Sequence, residues 1–140
     1  MKKEVILNLT GRQTYEDQEP NEIKLITEGT MEFCNGGWDI SYEETEVTGL
    51  VGVTTTFRVE PNRIILRRTG KLKSEMVFQL GVPHESLYQM EFGALLMTVS
   101  AKHLFFDIVS DGGMIDLVYD IAIENAAAGT VDYHMDIRVK

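Results

Sequence analysis

Residues 131–140 read VDYHMDIRVK, a stretch in which apolar and polar side chains alternate without a break. Because successive side chains of a β-strand point to opposite faces, this period of two predicts a strand with one apolar and one solvated face. The same alternation runs from Ile115 to Ile123, and residues 125–129 can turn the chain between the two segments. The C-terminal part of the chain is therefore predicted to form a β-hairpin.

The alternation continues toward the N-terminus in eight further segments that are bounded by Gly, Pro or Asn. All three prolines fall between these segments, which supports the assignment because a proline inside a strand removes a hydrogen-bond donor. The predicted strands are Glu4–Thr10, Glu22–Cys34, Trp38–Glu46, Val51–Glu60, Arg63–Thr69, Leu72–Leu80, Ser86–Phe92 and Leu95–Phe105.

About ten short strands in succession predict an all-β chain, with residues 1–140 forming one antiparallel β-barrel of about eight to ten strands. A β-sandwich is the alternative. The barrel is favoured because closure leaves no exposed sheet edge, and because the long strand Glu22–Cys34 can bend around a barrel at Gly29.

Composition narrows the classes of function. A length of 140 residues suits one domain, and 44% hydrophobic with 25% charged residues is typical of a globular protein. A net charge of −9 repels phosphate backbones and anionic lipid, so neither nucleic acid nor a membrane is an expected partner. Cys34 is the only cysteine and no signal peptide is visible, which makes the cytoplasm the expected location.

The hairpin around Pro61 and Asn62 fixes which side chains share the barrel interior. A two-residue turn there places Phe57 opposite Leu66 and Thr55 opposite Arg68, so Arg68 is the only charge on that face. Arginine keeps its proton, and it must therefore find an anion, water or the barrel mouth. Glu44 is the candidate partner.

The sequence allows two interpretations of Arg68. In the first, it reaches the rim and pairs with any carboxylate. In the second, it anchors the carboxylate or phosphate of a ligand inside an apolar cup. Strand parity also places His103 inside the barrel or at its mouth. The interior is predicted to be lined by Phe57, Leu66, Met76, Phe78, Met97, Tyr119 and Tyr133. The candidate ligand-binding residues are Arg68, Glu44, Tyr42, His103, Tyr119 and Tyr133.

Four short motifs resemble the YwiB-like family of small uncharacterised bacterial proteins. They are Tyr42-Glu43-Glu44, Arg68-Thr69-Gly70, Tyr88-Gln89-Met90-Glu91-Phe92-Gly93 and Leu117-Val118-Tyr119-Asp120-Ile121. The resemblance spans nearly the whole chain and implies a calycin-like (lipocalin-like) β-barrel in a cytoplasmic protein. It places the family's Arg-x-Gly on Arg68 and Gly70. The family brings no established activity, so no catalytic residue follows from it.

No catalytic motif, metal-ligand cluster or cofactor-binding loop stands out in the sequence, and no catalytic residue, metal or cofactor is predicted. The first hypothesis is a β-barrel that binds a small amphipathic or anionic ligand inside. An interaction or structural protein with a side-chain-filled barrel, which forms a homodimer through an exposed strand, is the alternative. An enzyme that uses Arg68, Glu44 and His103 at the mouth is less favoured.

Overall fold

The computed structural model describes residues 2–14, 19–90 and 92–140. Within these ranges the chain forms ten strands and the connections between them. The strands are β1 (Lys2–Thr14), β2 (Asn21–Cys34), β3 (Gly37–Glu43), β4 (Val53–Glu60), β5 (Arg63–Gly70), β6 (Ser74–Phe78), β7 (His84–Met90), β8 (Gly93–Val109), β9 (Gly112–Ile123) and β10 (Ala126–Val139).

The ten strands form one antiparallel sheet in the order β6-β5-β4-β3-β2-β1-β10-β9-β8-β7. β1 pairs with β10, which joins the two ends of the chain in the middle of the sheet. The sheet curls until its outer strands meet, where Lys73 and Gln89 form an antiparallel bridge. The result is a nearly closed barrel, so the predicted barrel is confirmed and the sandwich alternative is wrong.

The predicted register of the β4–β5 hairpin is confirmed. Glu60 faces Arg63, Phe57 faces Leu66 and Thr55 faces Arg68. The parity carries over to β6, where Leu66 faces Met76 and Arg68 faces Ser74. The interior faces of three consecutive strands could thus be read by counting outward from one turn.

His103 lies outside the barrel, which contradicts the predicted interior position. The pairing of β8 with β9 shifts between Ala101, which faces Tyr119, and His103, which faces Val118. Lys102 is the extra residue of this β-bulge, and an extra residue reverses the inward and outward alternation beyond it. His103 and Phe105 therefore point outward, and Leu104 packs against the core instead.

Several strand boundaries differ from the prediction. β3 ends at Glu43 and β4 begins at Val53, so residues 44–52 form a loop rather than the ends of two strands. In this loop Gly49 and Gly52 adopt positive φ angles of 75° and 90°, which breaks the extended backbone. β6 is shorter than predicted, β7 begins earlier, and β1 and β8 are longer.

Two glycines allow close backbone approaches that shape the barrel. A Cβ atom at position 29 would overlap the carbonyl oxygen of Ser41 on the neighbouring strand, as well as the Leu7 side chain. Gly70 has a φ of 106°, and a Cβ atom there would overlap the carbonyl oxygen of Gly52. Gly70 thereby brings the end of β5 against the loop that precedes β4.

The two ends of the barrel differ in packing. One end is filled by fully buried side chains that do not line the cavity, among them Met31, Ile40, Ile64, Phe78, Ile115 and Met135. At the other end lie the C-terminal parts of β1, β3, β5, β7 and β9 and the N-terminal parts of their partner strands. The interior there is open, and this end carries the candidate site.

Candidate ligand-binding site

A cavity of about 370 Å³ occupies the open end of the barrel. This volume lies within the range of small-molecule sites, roughly 300–1,000 Å³. Most of its wall is apolar and comes from strands on all sides of the barrel. Six of the seven predicted interior residues line it, namely Phe57, Leu66, Met76, Met97, Tyr119 and Tyr133. The seventh, Phe78, is fully buried and packs against the ring of Tyr119 with centroids 4.4 Å apart.

Three tyrosines place phenol groups in this apolar wall. The hydroxyl oxygens of Tyr42 and Tyr133 lie 3.4 Å apart, and the Tyr133 ring packs on Phe57 with centroids 5.3 Å apart. Burial raises the pKa of Tyr119 to about 12, and burial also raises the pKa values of Tyr42 and Tyr133 well above their ordinary value. All three phenols therefore remain neutral at physiological pH and act as hydrogen-bonding groups rather than charges.

Glu44 is buried, with 6% of its surface exposed, and lies in the cavity wall where β3 ends. Its carboxylate accepts hydrogen bonds from the Thr55 hydroxyl at 2.7 Å and from the Thr48 hydroxyl at 2.6 Å. Hydroxyl donors of this kind compensate the loss of hydration of a buried charge. Because Thr48 belongs to the 44–52 loop, the carboxylate also fastens that loop to β4.

Arg68 lines the same cavity, but the predicted ion pair with Glu44 is not formed. Thr55, which faces Arg68 in the sheet, binds one carboxylate oxygen and Thr48 binds the other. The Nε atom of Arg68 is buried and has no hydrogen-bond partner in the described part of the chain. The guanidinium charge acts on all three phenols, since it lowers the pKa values of Tyr42, Tyr119 and Tyr133 against the larger effect of burial.

Five of the six predicted site residues come together in the cavity wall: Arg68, Glu44, Tyr42, Tyr119 and Tyr133. The sixth, His103, has 55% of its side chain exposed on the outer surface and lies 3.8 Å from the carboxylate of Asp116. His134 contacts the same carboxylate at 3.4 Å. In residues 2–14, 19–90 and 92–140, no three His, Cys, Asp or Glu side chains are placed to share a metal ion.

Sequence reasoning missed the contribution of the 44–52 loop. Thr48 and Leu50 both line the cavity, although this segment was predicted to continue two strands. Tyr88 on β7 also lines it. His84, Ser86 and Tyr88 share one face of β7, but their alternation with Glu85 and Leu87 does not separate apolar from polar residues, so the sequence did not show which face is interior.

Cys34 lies at the end of β2 and does not line the cavity. Its thiol donates a hydrogen bond to the Asp39 carboxylate at 3.2 Å. This hydrogen bond is the main reason why the pKa of the thiol is raised. A raised pKa lowers the fraction of reactive thiolate, so Cys34 lacks the activation that a nucleophile needs.

Fold and site together define a small antiparallel β-barrel with a ligand-sized cavity at one end. The chain belongs to the family described as "Domain of unknown function (DUF1934)", whose model matches residues 7–137. It is 27% identical over 124 residues to the "Uncharacterized beta-barrel protein YwiB" of Bacillus subtilis (strain 168), which covers 88% of this chain and 86% of that protein.

A solved structure supports the same fold. The crystal structure of the ywiB protein from Bacillus subtilis matches with a TM-score of 0.88 at 21% identity, covering 99% of this chain and 93% of that one. The resemblance read from the sequence is thereby confirmed. In the part of the chain that the structure describes, no helix has the length and apolar character needed to cross a membrane.

Proposed function

We propose that this protein binds a small amphipathic anion inside the barrel. The observation that carries the proposal is the guanidinium of Arg68, whose buried Nε has no partner among the described residues and which lines an apolar cavity of about 370 Å³. A guanidinium with a buried donor that lacks a partner is stabilised when an anion supplies charge-assisted hydrogen bonds. An apolar cavity with a few convergent polar groups is the usual form of a small-molecule site.

The cavity wall indicates how such a ligand is oriented. Its apolar body lies between Phe57, Met97 and Tyr133, while its anionic end lies at Arg68. The neutral phenols of Tyr42 and Tyr119 can donate hydrogen bonds to the ligand. We place this activity in the cytoplasm, where the single free thiol of Cys34 is compatible with a reducing compartment.

The alternatives have less support. A barrel that acts only through a protein partner or a homodimer was expected to be filled by side chains, and the cavity of about 370 Å³ does not fit that expectation. The polar set considered for an enzyme is not assembled, because His103 lies outside the barrel while Arg68 and Glu44 line its interior.

Native and denaturing mass spectra of the protein purified from its own host test the proposal. We expect a small anion to leave when the chain unfolds, and we expect Arg68→Leu to lack that extra mass. Arg138→Leu is the control, since Arg138 is exposed on β10 and lines neither the cavity nor the groove between β6 and β7. An extra mass that survives in Arg68→Leu, or its absence from the wild type even with added amphiphiles, would refute the proposal.

A further inference from the structure

The barrel wall is incomplete between β6 and β7, the two outer strands of the sheet. Lys73 and Gln89 exchange two backbone hydrogen bonds of 3.0 and 2.9 Å at one end of this seam. Leu80 forms a bridge with Ala101 near the other end. Between these closures, β6 pairs with β5 and β7 pairs with β8, and the two facing edges form no ladder with each other. A groove therefore runs along the seam.

Three buried polar atoms without a partner lie at this groove. They are the Nε of Arg68, the Oγ of Ser74 and the Oγ of Ser86, and no other buried side-chain atom of the described residues lacks a partner. All three residues line the groove. Ser74 is 7% exposed and faces Arg68 directly in the β5–β6 ladder, and Ser86 approaches from β7 on the other side. Buried donors without acceptors are unfavourable, and three of them at one place indicate a missing acceptor.

The charges around the groove favour an anion. Arg67 is neutralised by Glu75, which leaves Arg68 and Lys73 against Glu85. The groove therefore carries a net positive charge in a protein whose total is −9. Glu44 lines the interior cavity but not the groove.

Arg68 connects the two spaces, since it lines both the interior cavity and the seam groove. A ligand can thus keep its apolar body in the cavity while its charged end reaches the seam. The donors come from three different strands, β5, β6 and β7, and all three lie at the same groove. This arrangement suits a tetrahedral headgroup with three terminal oxygens, each of which accepts one donor.

We propose that Arg68, Ser74 and Ser86 form an oxyanion subsite that binds the phosphate of an amphipathic phosphate monoester at the β6–β7 seam. This inference rests on the proposed function, because it names the headgroup of the ligand whose body occupies the barrel. It assigns Ser74 and Ser86 a binding role that the sequence did not indicate.

Calorimetric titration with three probes that share one chain tests the subsite: decyl phosphate, decanoate and 1-decanol. We expect decyl phosphate to bind the wild type about tenfold more tightly than decanoate, which corresponds to about 1.4 kcal/mol, and decanol to bind most weakly. The double variant Ser74→Ala/Ser86→Ala should weaken decyl phosphate about tenfold or more and leave decanol unchanged. Ser100→Ala, a half-buried serine on the outer face of β8, is the matched control.

The unliganded variants provide a second readout. Removing a buried hydroxyl without a partner should raise the melting temperature of Ser74→Ala and Ser86→Ala, whereas a fall would mean that the hydroxyls have structural partners and would count against the subsite. Two results would overturn the subsite: equal affinity of the wild type and the double variant for decyl phosphate, or a preference of the wild type for decanoate. The proposed function would still stand in either case if Arg68→Leu lowers the affinity for both anions. Failure of every amphiphile to bind the wild type would overturn both.

Discussion

Replacing Arg68 by leucine should stabilise the empty barrel. The guanidinium has a buried Nε without a hydrogen bond, and such a group costs about 1–3 kcal/mol. Arg68 is only half-buried, so part of this cost is relieved by solvent, and we expect the free energy of unfolding to rise by about 1 kcal/mol. Glu44 keeps both of its threonine donors in the variant and is not left unpaired.

Urea unfolding followed by tryptophan fluorescence measures this change. Trp38 is the only tryptophan, and it packs against Phe33 away from the cavity, so it reports global unfolding without sensing the substitution itself. We expect a higher midpoint with an unchanged denaturant slope. In a thermal scan the gain corresponds to about 2–4 °C for a domain of roughly this size.

A loss of stability in Arg68→Leu would contradict this expectation. If Arg68→Leu lowers the free energy of unfolding by several kcal/mol, the guanidinium has a buried ionic partner and its role is structural. Arg67→Leu serves as the control for loss of a neighbouring charge. Its exposed ion pair with Glu75 is worth about 0–1 kcal/mol, so its midpoint should shift little.

The remaining predictions concern the rest of the cavity. Thr55→Val removes one of the two donors to the Glu44 carboxylate and should destabilise the protein by about 1–3 kcal/mol in urea unfolding, whereas an unchanged midpoint would mean that another donor replaces it. The pKa of Tyr119 is about 12 when folded and ordinarily about 10, so the unfolded chain loses its proton first, and stability should fall as pH rises from about 10 to 12. Tyr119→Phe should flatten that fall, and an equally steep profile would contradict the burial argument. Gly70→Ala forces a Cβ atom onto the carbonyl oxygen of Gly52 at a φ of 106°, and a melting scan should show a loss of about 1–3 kcal/mol or more. His103→Asn should leave the affinity for decanoate unchanged, because the side chain lies outside the barrel, and a clear loss in titration would place it at the site after all.

The strands could be predicted because alternation is a local property. Counting from the turn at Pro61 and Asn62 gave Thr55 correctly as the cross-strand neighbour of Arg68, since each step along paired strands preserves the face of the sheet. The same counting failed at His103, because the β-bulge at Lys102 inserts one residue into the strand and no feature of the sequence marks its position. In the segment after Glu43, apolar residues continue to alternate in the sequence, but the positive φ angles of Gly49 and Gly52 convert that segment into a loop.

The candidate site was only partly predictable, because the hydrogen bonds of a side chain depend on which donors and acceptors the fold brings close to it. Parity placed Arg68 on an interior face and suggested Glu44 as its partner, and both line the cavity. Parity could not show that the hydroxyls of Thr48 and Thr55 donate hydrogen bonds to the Glu44 carboxylate. The position of Ser74 opposite Arg68 and that of Ser86 at the meeting of β6 and β7 became visible only in the structure.

The buried carboxylate of Glu44 and the half-buried guanidinium of Arg68 differ in their hydrogen bonding, and this difference explains how an acidic protein can select an anion. The Glu44 carboxylate has two hydroxyl donors, so its negative charge is already stabilised by the fold and needs no ligand. The Arg68 guanidinium has no partner within the described residues and therefore gains most from an incoming acceptor. A cation entering the cavity would meet a carboxylate that already accepts two hydrogen bonds, and it would also be repelled by Arg68. The overall charge of −9 thus influences how a ligand approaches the protein, while the unpartnered arginine determines which charge is held inside.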